Sequence, residues 1–115
     1  MMQTTIVKPG EIIHVIHRFE REMKRHFVGL VESVNDSVVR ASGYAFVVDD
    51  PRTHEFVKRP DRRVRLIPLT DGELIINVLP EGVHLEDVRY MEQDHRLFVT
   101  DGRHWKMDLK EFGWN

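Results

Sequence analysis

Punctuation limits this chain more than any other feature. Turn signals recur at Pro9-Gly10, Asn35-Asp36, Asp49-Asp50-Pro51, Arg59-Pro60-Asp61, Asp71-Gly72, Pro80-Glu81-Gly82, Gln93-Asp94 and Asp101-Gly102. The runs between them are short and rich in Val, Ile, Leu, Phe and Tyr. Strands fit such intervals and long helices do not, so the spacing predicts an all-β protein. The expected form is a single small, strongly bent antiparallel barrel of seven or eight strands, over residues 1–115, with an added C-terminal β-hairpin.

The hairpin is the sharpest local expectation. Asp101-Gly102 lies between Leu97-Phe98-Val99 and Trp105-Lys106-Met107, and Gly supplies the positive φ of a tight turn. A three-residue loop, Thr100-Asp101-Gly102, pairs Val99 with Arg103 and Leu97 with Trp105. That register gathers Leu97, Val99, Trp105 and Met107 on one face, with Gly102 left-handed.

Segment 11–19 reads as a strand, because two β-branched residues precede His14 and two follow it. A helix over 11–26 is the alternative, since Ile12, Val15, Ile16, Phe19, Met23 and Phe27 also fall at helical spacing. Segment 26–34 is apolar on both faces, with Gly29 marking a bend, bulge or close backbone approach. In segment 37–48, Val39, Ala41, Gly43, Ala45 and Val47 make a small-residue face that suits a tightly curved strand. Residues 49–62 form a polar hairpin or loop. Thr70-Asp71-Gly72 signals a hairpin between 63–69 and 73–79. The expected interior is Ile13, Val15, Phe27, Val31, Val39, Val47, Leu66, Leu74, Ile76, Leu97, Val99, Trp105 and Met107. Phe112 and Trp114 are expected to fold over a barrel end.

The chain has no cysteine, which removes disulfides and thiolate chemistry. No apolar run reaches the ~18 residues of a membrane helix, and no leader is evident, so a bacterial-type cytoplasmic location away from membranes is expected. Charge is uneven. Residues 1–65 carry 12 Lys/Arg and 9 Asp/Glu, and residues 66–115 carry 5 and 10, within a net charge of −2. Opposite halves suit self-association or an anion-binding face.

Catalytic patterns are sparse. There is no G-x-S-x-G, and Ser33, Ser37 and Ser42 lack a positioned base in sequence. Asp49-Asp50-Pro51 reads as turn chemistry, and Gly29 and Gly43 do not form a phosphate loop. His14 and His17 spell H-x-x-H, but on a strand they point to opposite faces. His26, His54, His84, His95 and His104 lie near turns and read as surface residues. No enzyme activity, metal or cofactor is expected. The basic stretch 52–65 is the stronger clue: Arg52, Phe56, Lys58, Arg59, Arg62, Arg63 and Arg65 combine phosphate-binding forks with an aromatic that can stack on a base. A smaller cluster holds Arg18, Arg21, Lys24, Arg25 and His26.

Residues 27–40 resemble the first signature of Sm-like proteins. Phe27-x-Gly29-x-Val31, then Val34, Asp36 and Val39, match its aromatic–Gly–aliphatic strand and its Asp-containing turn, while Arg40 stands where that family carries Asn. The resemblance implies an Sm-like or SH3-like bent barrel, ring assembly and RNA binding. The chain as a whole is similar to a set of small bacterial proteins with no associated activity, through Pro9-Gly10-Glu11-Ile12-Ile13, His26-Phe27-Val28-Gly29, Gly43-Tyr44-Ala45-Phe46-Val47, Leu79-Pro80, Thr100-Asp101-Gly102 and Glu111-Phe112-Gly113. The leading expectation is a non-enzymatic binding or assembly module that self-associates as a homo-oligomer. The alternatives are nucleic-acid binding through 52–65, and a small-molecule site or hydrolase near Tyr44, His104 and Trp105.

Overall fold

The computed structural model describes residues 6–17, 25–50, 55–94, 96–103 and 105–109, with side chains at all of these except 17, 48–50, 55 and 56. Its strands are β1 (Ile12–His17), β2 (Arg25–Asn35), β3 (Val38–Asp50), β4 (Glu55–Lys58), β5 (Arg63–Pro68), β6 (Leu74–Val78), β7 (Arg89–Gln93), β8 (Arg96–Thr100) and β9 (Lys106–Asp108), with a 3-10 turn at Leu85–Asp87. The protein is all-β, as the turn spacing implies, and residues 12–17 are strand rather than helix. The turn expected at 21–24 lies outside the described residues.

Two sheets form. The larger has six strands in the order β4-β3-β2-β1-β6, with β5 also pairing β3; the smaller is β7-β8-β9. The 13-residue β3 is long enough to hold two partners on one edge. Its first half pairs β5, from Val38↔Pro68 to Gly43↔Arg63. Its second half pairs β4, with Phe46↔Lys58 and Val47↔Val57. The path β5-β3-β2-β1-β6 therefore ends on two strands that are consecutive in the chain. The Asp71-Gly72 turn signal is real, but the hairpin expected there is not: β6 pairs β1 and β5 pairs β3. Among the described residues no ladder joins β5 to β6, so a seam remains where a closed barrel would need one.

Both faces of the large sheet are covered, which explains why 26–34 is apolar on both sides. On one face Ile13, Val15, Phe27, Val31, Val39, Ala41 and Ile67 are buried together with Val7. On the other, Val28, Tyr44 and Phe46 are buried against Leu79, Val83, Leu85, Val88, Val99 and Leu109. Each fully buried large side chain, Phe46 for example, contributes roughly 1.5–3 kcal/mol. Leu66 was expected inside but is 66% exposed; its neighbour Ile67 takes the inner position. Val47, Leu74, Ile76, Leu97, Trp105 and Met107 are half-buried. Phe112 and Trp114 lie outside the described residues.

Gly29 and Gly43 face each other across β2 and β3. A Cβ on Gly43 would overlap the Val28 carbonyl oxygen, with the carbonyl carbon at 2.8 Å, and one on Gly29 would meet the Phe27 ring at 2.6 Å. The backbone of β2 thus leaves no room for a side chain at Gly43, and the Phe27 ring takes that room at Gly29.

The C-terminal hairpin forms with a longer loop than expected. Val99 pairs Met107 and Thr100 pairs Lys106, so Asp101–Trp105 make a five-residue loop. Gly102 is left-handed as expected, with φ 75°. The register differs by four residues, an even number, so Leu97, Val99, Trp105 and Met107 still share a face and one cluster. Side-chain oxygens select the longer loop. Buried Asp101 accepts the Arg103 N–H at 3.0 Å, and Thr100 Oγ1 accepts the Gly102 N–H at 2.9 Å while donating to the Trp105 carbonyl at 2.6 Å.

Candidate anion cleft and buried histidine cluster

The open seam forms a cleft of about 240 Å³ lined by Val15, Arg25, His26, Phe27, Ala45, Arg65, Leu66, Ile67, Pro68, Asp71 and Leu74. Its floor is the inner apolar face of the large sheet. Its charged groups come from the starts of β2 and β5 and from the β5–β6 turn. Arg65 stands opposite Ala41 in the β3–β5 ladder and lays its guanidinium 5.3 Å from the Phe27 ring centre. Burial lowers the Arg65 pKa from its ordinary value, and the Arg63 and Arg25 charges lower it further. Positive charges are thus crowded beside an apolar floor. The cleft's carboxylate, Asp71, is partly engaged in its own turn, where Oδ1 accepts the Glu73 N–H at 2.9 Å.

His26 lies in β2 along this cleft, but its ring turns to the opposite face of the sheet, into a polar cluster beside Tyr90 and Phe46. His26 Nδ1 lies 2.8 Å from His14 Nε2 and 2.7 Å from the Tyr90 hydroxyl, which is itself 3.1 Å from His14 Nε2. Asn77 Nδ2 donates to His14 Nδ1 at 3.2 Å. That bond sets the proton of His14 on Nε2, leaving the Tyr90 hydroxyl to donate to His26. His14 and His26 are buried, at 0% and 5% exposure, and for His26 this corrects the expectation of a surface position. Exposed His84 fits it. Burial pulls the His14 pKa down to about 4 and pushes the Tyr90 phenol well above its usual value. The sequence did carry one signal for His14: it sits within an unbroken β-branched run, and such a strand is covered on both faces. Nothing in the spacing linked positions 14, 26, 77 and 90.

A third polar group ties the 3-10 turn to the sheet. Tyr44 donates its hydroxyl to Glu86 Oε2, and Arg62 donates to Glu86 Oε1 at 2.7 Å and to Ser42 Oγ at 2.8 Å. Lys58 donates to the Glu86 carbonyl at 2.7 Å and sits 4.3 Å from the Tyr44 ring centre. The Glu86 hydrogen bond holds the Tyr44 phenol above its ordinary pKa. The surface at Tyr44, which the alternative small-molecule reading names, is covered by Lys58 and Glu86. Trp105 is half-buried in the core, and His104 lies outside the described residues.

The basic stretch 52–65 is divided by the fold. Lys58 and Arg62 turn to Glu86, Arg59 and Arg63 are exposed, and Arg65 enters the cleft. Phe56 lies in β4 opposite Val48, and Arg52 falls outside the described residues. Of the second basic cluster, Arg25 lines the cleft, the His26 ring turns to the opposite face of the sheet, and Arg18, Arg21 and Lys24 fall outside the described residues. Sequence reasoning kept the two clusters apart; the β2–β3–β5 pairing joins Arg25 and Arg65 at one seam.

No family model matches this chain, and comparison with curated proteins and with solved structures gives no match. Among the described residues no helix is long and apolar enough to cross a membrane.

Proposed function

We propose that this protein is a non-enzymatic binding module whose ligand presents one phosphate or carboxylate group on a small apolar body. The observation that carries this reading is the seam cleft, where Arg25 and Arg65 share walls with Val15, Phe27, Ile67 and Leu74. Guanidinium forks match such anions in pairs of hydrogen bonds, and the apolar floor favours a ligand with a carbon body. The volume of about 240 Å³ is below that of pockets for drug-sized ligands, so one head group with a few carbons fits, either free or at the end of a longer molecule. The path β5-β3-β2-β1-β6, with its ends joined by a short turn, supports the Sm-like or SH3-like reading of the large sheet.

Calorimetry with phenyl phosphate tests this reading. Saturable binding that weakens with salt and falls at least ~10-fold in Arg65→Glu is the expected result. No binding by the wild type would remove it. Anisotropy of labelled mixed-sequence RNA and DNA separates the two sources of phosphate, because a strand tracked by exposed Arg59 and Arg63 loses affinity in Arg59→Glu and Arg63→Glu, whereas a small ligand does not.

Self-association has its own supporting observation. Val64 and Leu66 are 49% and 66% exposed on β5, beside Val38 at 39% on the paired strand. Such an apolar strip next to a strand edge suits a second copy. Light scattering over a wide concentration range tests it: growth of mass that Leu66→Lys abolishes is expected, and a constant monomer mass would end it.

A further inference from the structure

Three strands of the molecule each bring one donor atom to a single point: His14 Nε2 from β1, His26 Nδ1 from β2 and Tyr90 Oη from β7. Their separations are 2.8, 2.7 and 3.1 Å. We infer that this triangle is a binding site for a divalent first-row transition metal, with copper(II) the best match. The inference is independent of the cleft's ligand.

Geometry argues first. An ion bonded to all three atoms at ~2.1 Å would sit just above the triangle, with ligand–metal–ligand angles of roughly 80–95°. Angles near 90° define one face of an octahedral or tetragonal ion and are too narrow for a closed tetrahedral zinc site. Two imidazoles and a phenol also suit copper in donor type, and copper(II) heads the affinity order for such donors. Among the described residues no three His, Cys, Asp or Glu side chains are placed to share an ion; the third donor here is a phenol.

The surroundings argue second. Asn77 contacts the far nitrogen of His14, the position from which an outer partner orients a ligating ring. On metal binding the Tyr90 hydroxyl proton leaves to solvent. The His14 proton moves from Nε2 to Nδ1, where the Asn77 amide, turned over, accepts it through its carbonyl.

Copper(II) chloride titrated into the metal-free full chain, followed by calorimetry and visible absorption, tests the site. One equivalent is expected to bind with a phenolate-to-copper charge-transfer band. Tyr90→Phe should remove the band, and Tyr90→Phe and His26→Gln should each weaken binding at least ~10-fold; Asn77→Leu should weaken it ~10-fold. Tyr44→Phe and His84→Ala should leave the band and the affinity unchanged. No saturable binding, or binding without the band, would overturn the site. So would a folded Tyr90→Phe with wild-type affinity. If Tyr90→Phe does not fold, Tyr44→Phe decides, because the chain has two tyrosines: a band that persists without Tyr44 belongs to Tyr90, and one that vanishes refutes the site.

Discussion

His14 Nε2 and His26 Nδ1 lie 2.8 Å apart, on the face of the large sheet that packs against Tyr90, opposite the seam cleft. A direct contact between two imidazoles requires at least one to stay neutral. Here His14 bears that constraint, being wholly buried against the Asn77, His26 and Tyr90 side chains.

The protein should therefore lose stability in mild acid. The unfolded chain protonates His14 near 6.5 and the folded protein near 4. Between those values the unfolded state holds more protons, so stability is full above pH 6.5 and falls as pH drops toward 4. The loss attributable to this group is about 3 kcal/mol. Urea midpoints measured across that window should fall with pH, and His14→Gln should flatten the slope. Equal slopes in both proteins would place the sensitivity elsewhere.

Gly43→Ala should be among the costliest single changes in the fold. The added methyl would overlap the Val28 carbonyl and the Gly29 Cα, which are backbone atoms of a central strand with nowhere to move. Overpacking typically costs 1–3 kcal/mol, and a loss of about 3 kcal/mol is expected. Gly102→Ala, strained by its positive φ in an exposed loop, should cost about 1–2 kcal/mol. Chemical denaturation of the two variants gives the order directly.

Neighbouring apolar residues on β5 should respond in opposite ways. Leu66→Ser should change stability by less than ~0.5 kcal/mol, and Ile67→Ser should cost about 3 kcal/mol. The reverse order of losses would mean that β5 is out of register by one residue.

The Asp101 carboxylate holds the C-terminal loop. Asp101→Ala should destabilise by about 1–3 kcal/mol, because the Arg103 amide at 3.0 Å loses its acceptor in a buried place. Asp101→Asn, which keeps a side-chain carbonyl, should recover much of that loss. Thermal melts of the pair provide the check.

These residues also show where the sequence was legible. Alternation and turn spacing are local, so the all-β class, the strand at residues 12–17 and the shared face of Leu97, Val99, Trp105 and Met107 could be read directly. The loop at Asp101–Trp105 could not, because its length depends on side-chain bonds from Thr100 and Asp101 that compete with a tighter turn. The Asp71-Gly72 turn misled for a different reason: a turn says that the chain reverses, not that the strands it joins pair with each other. Leu66 and Ile67 lie in an apolar run without alternation, so the inner position was undetermined until the β3–β5 ladder fixed it. The Arg25–Arg65 cleft and the His14–His26–Tyr90 cluster join residues far apart in sequence, and only the strand order brings them together.

The most direct test of the central claim is a backbone amide NMR titration of the full chain with phenyl phosphate. Shifts concentrated at Phe27, Ala45, Ile67 and Leu74, saturating together and abolished by Arg65→Glu, are the predicted result. Shifts confined to Arg59, Arg63 and the outer face of β5, or no saturating shifts at all, would contradict it.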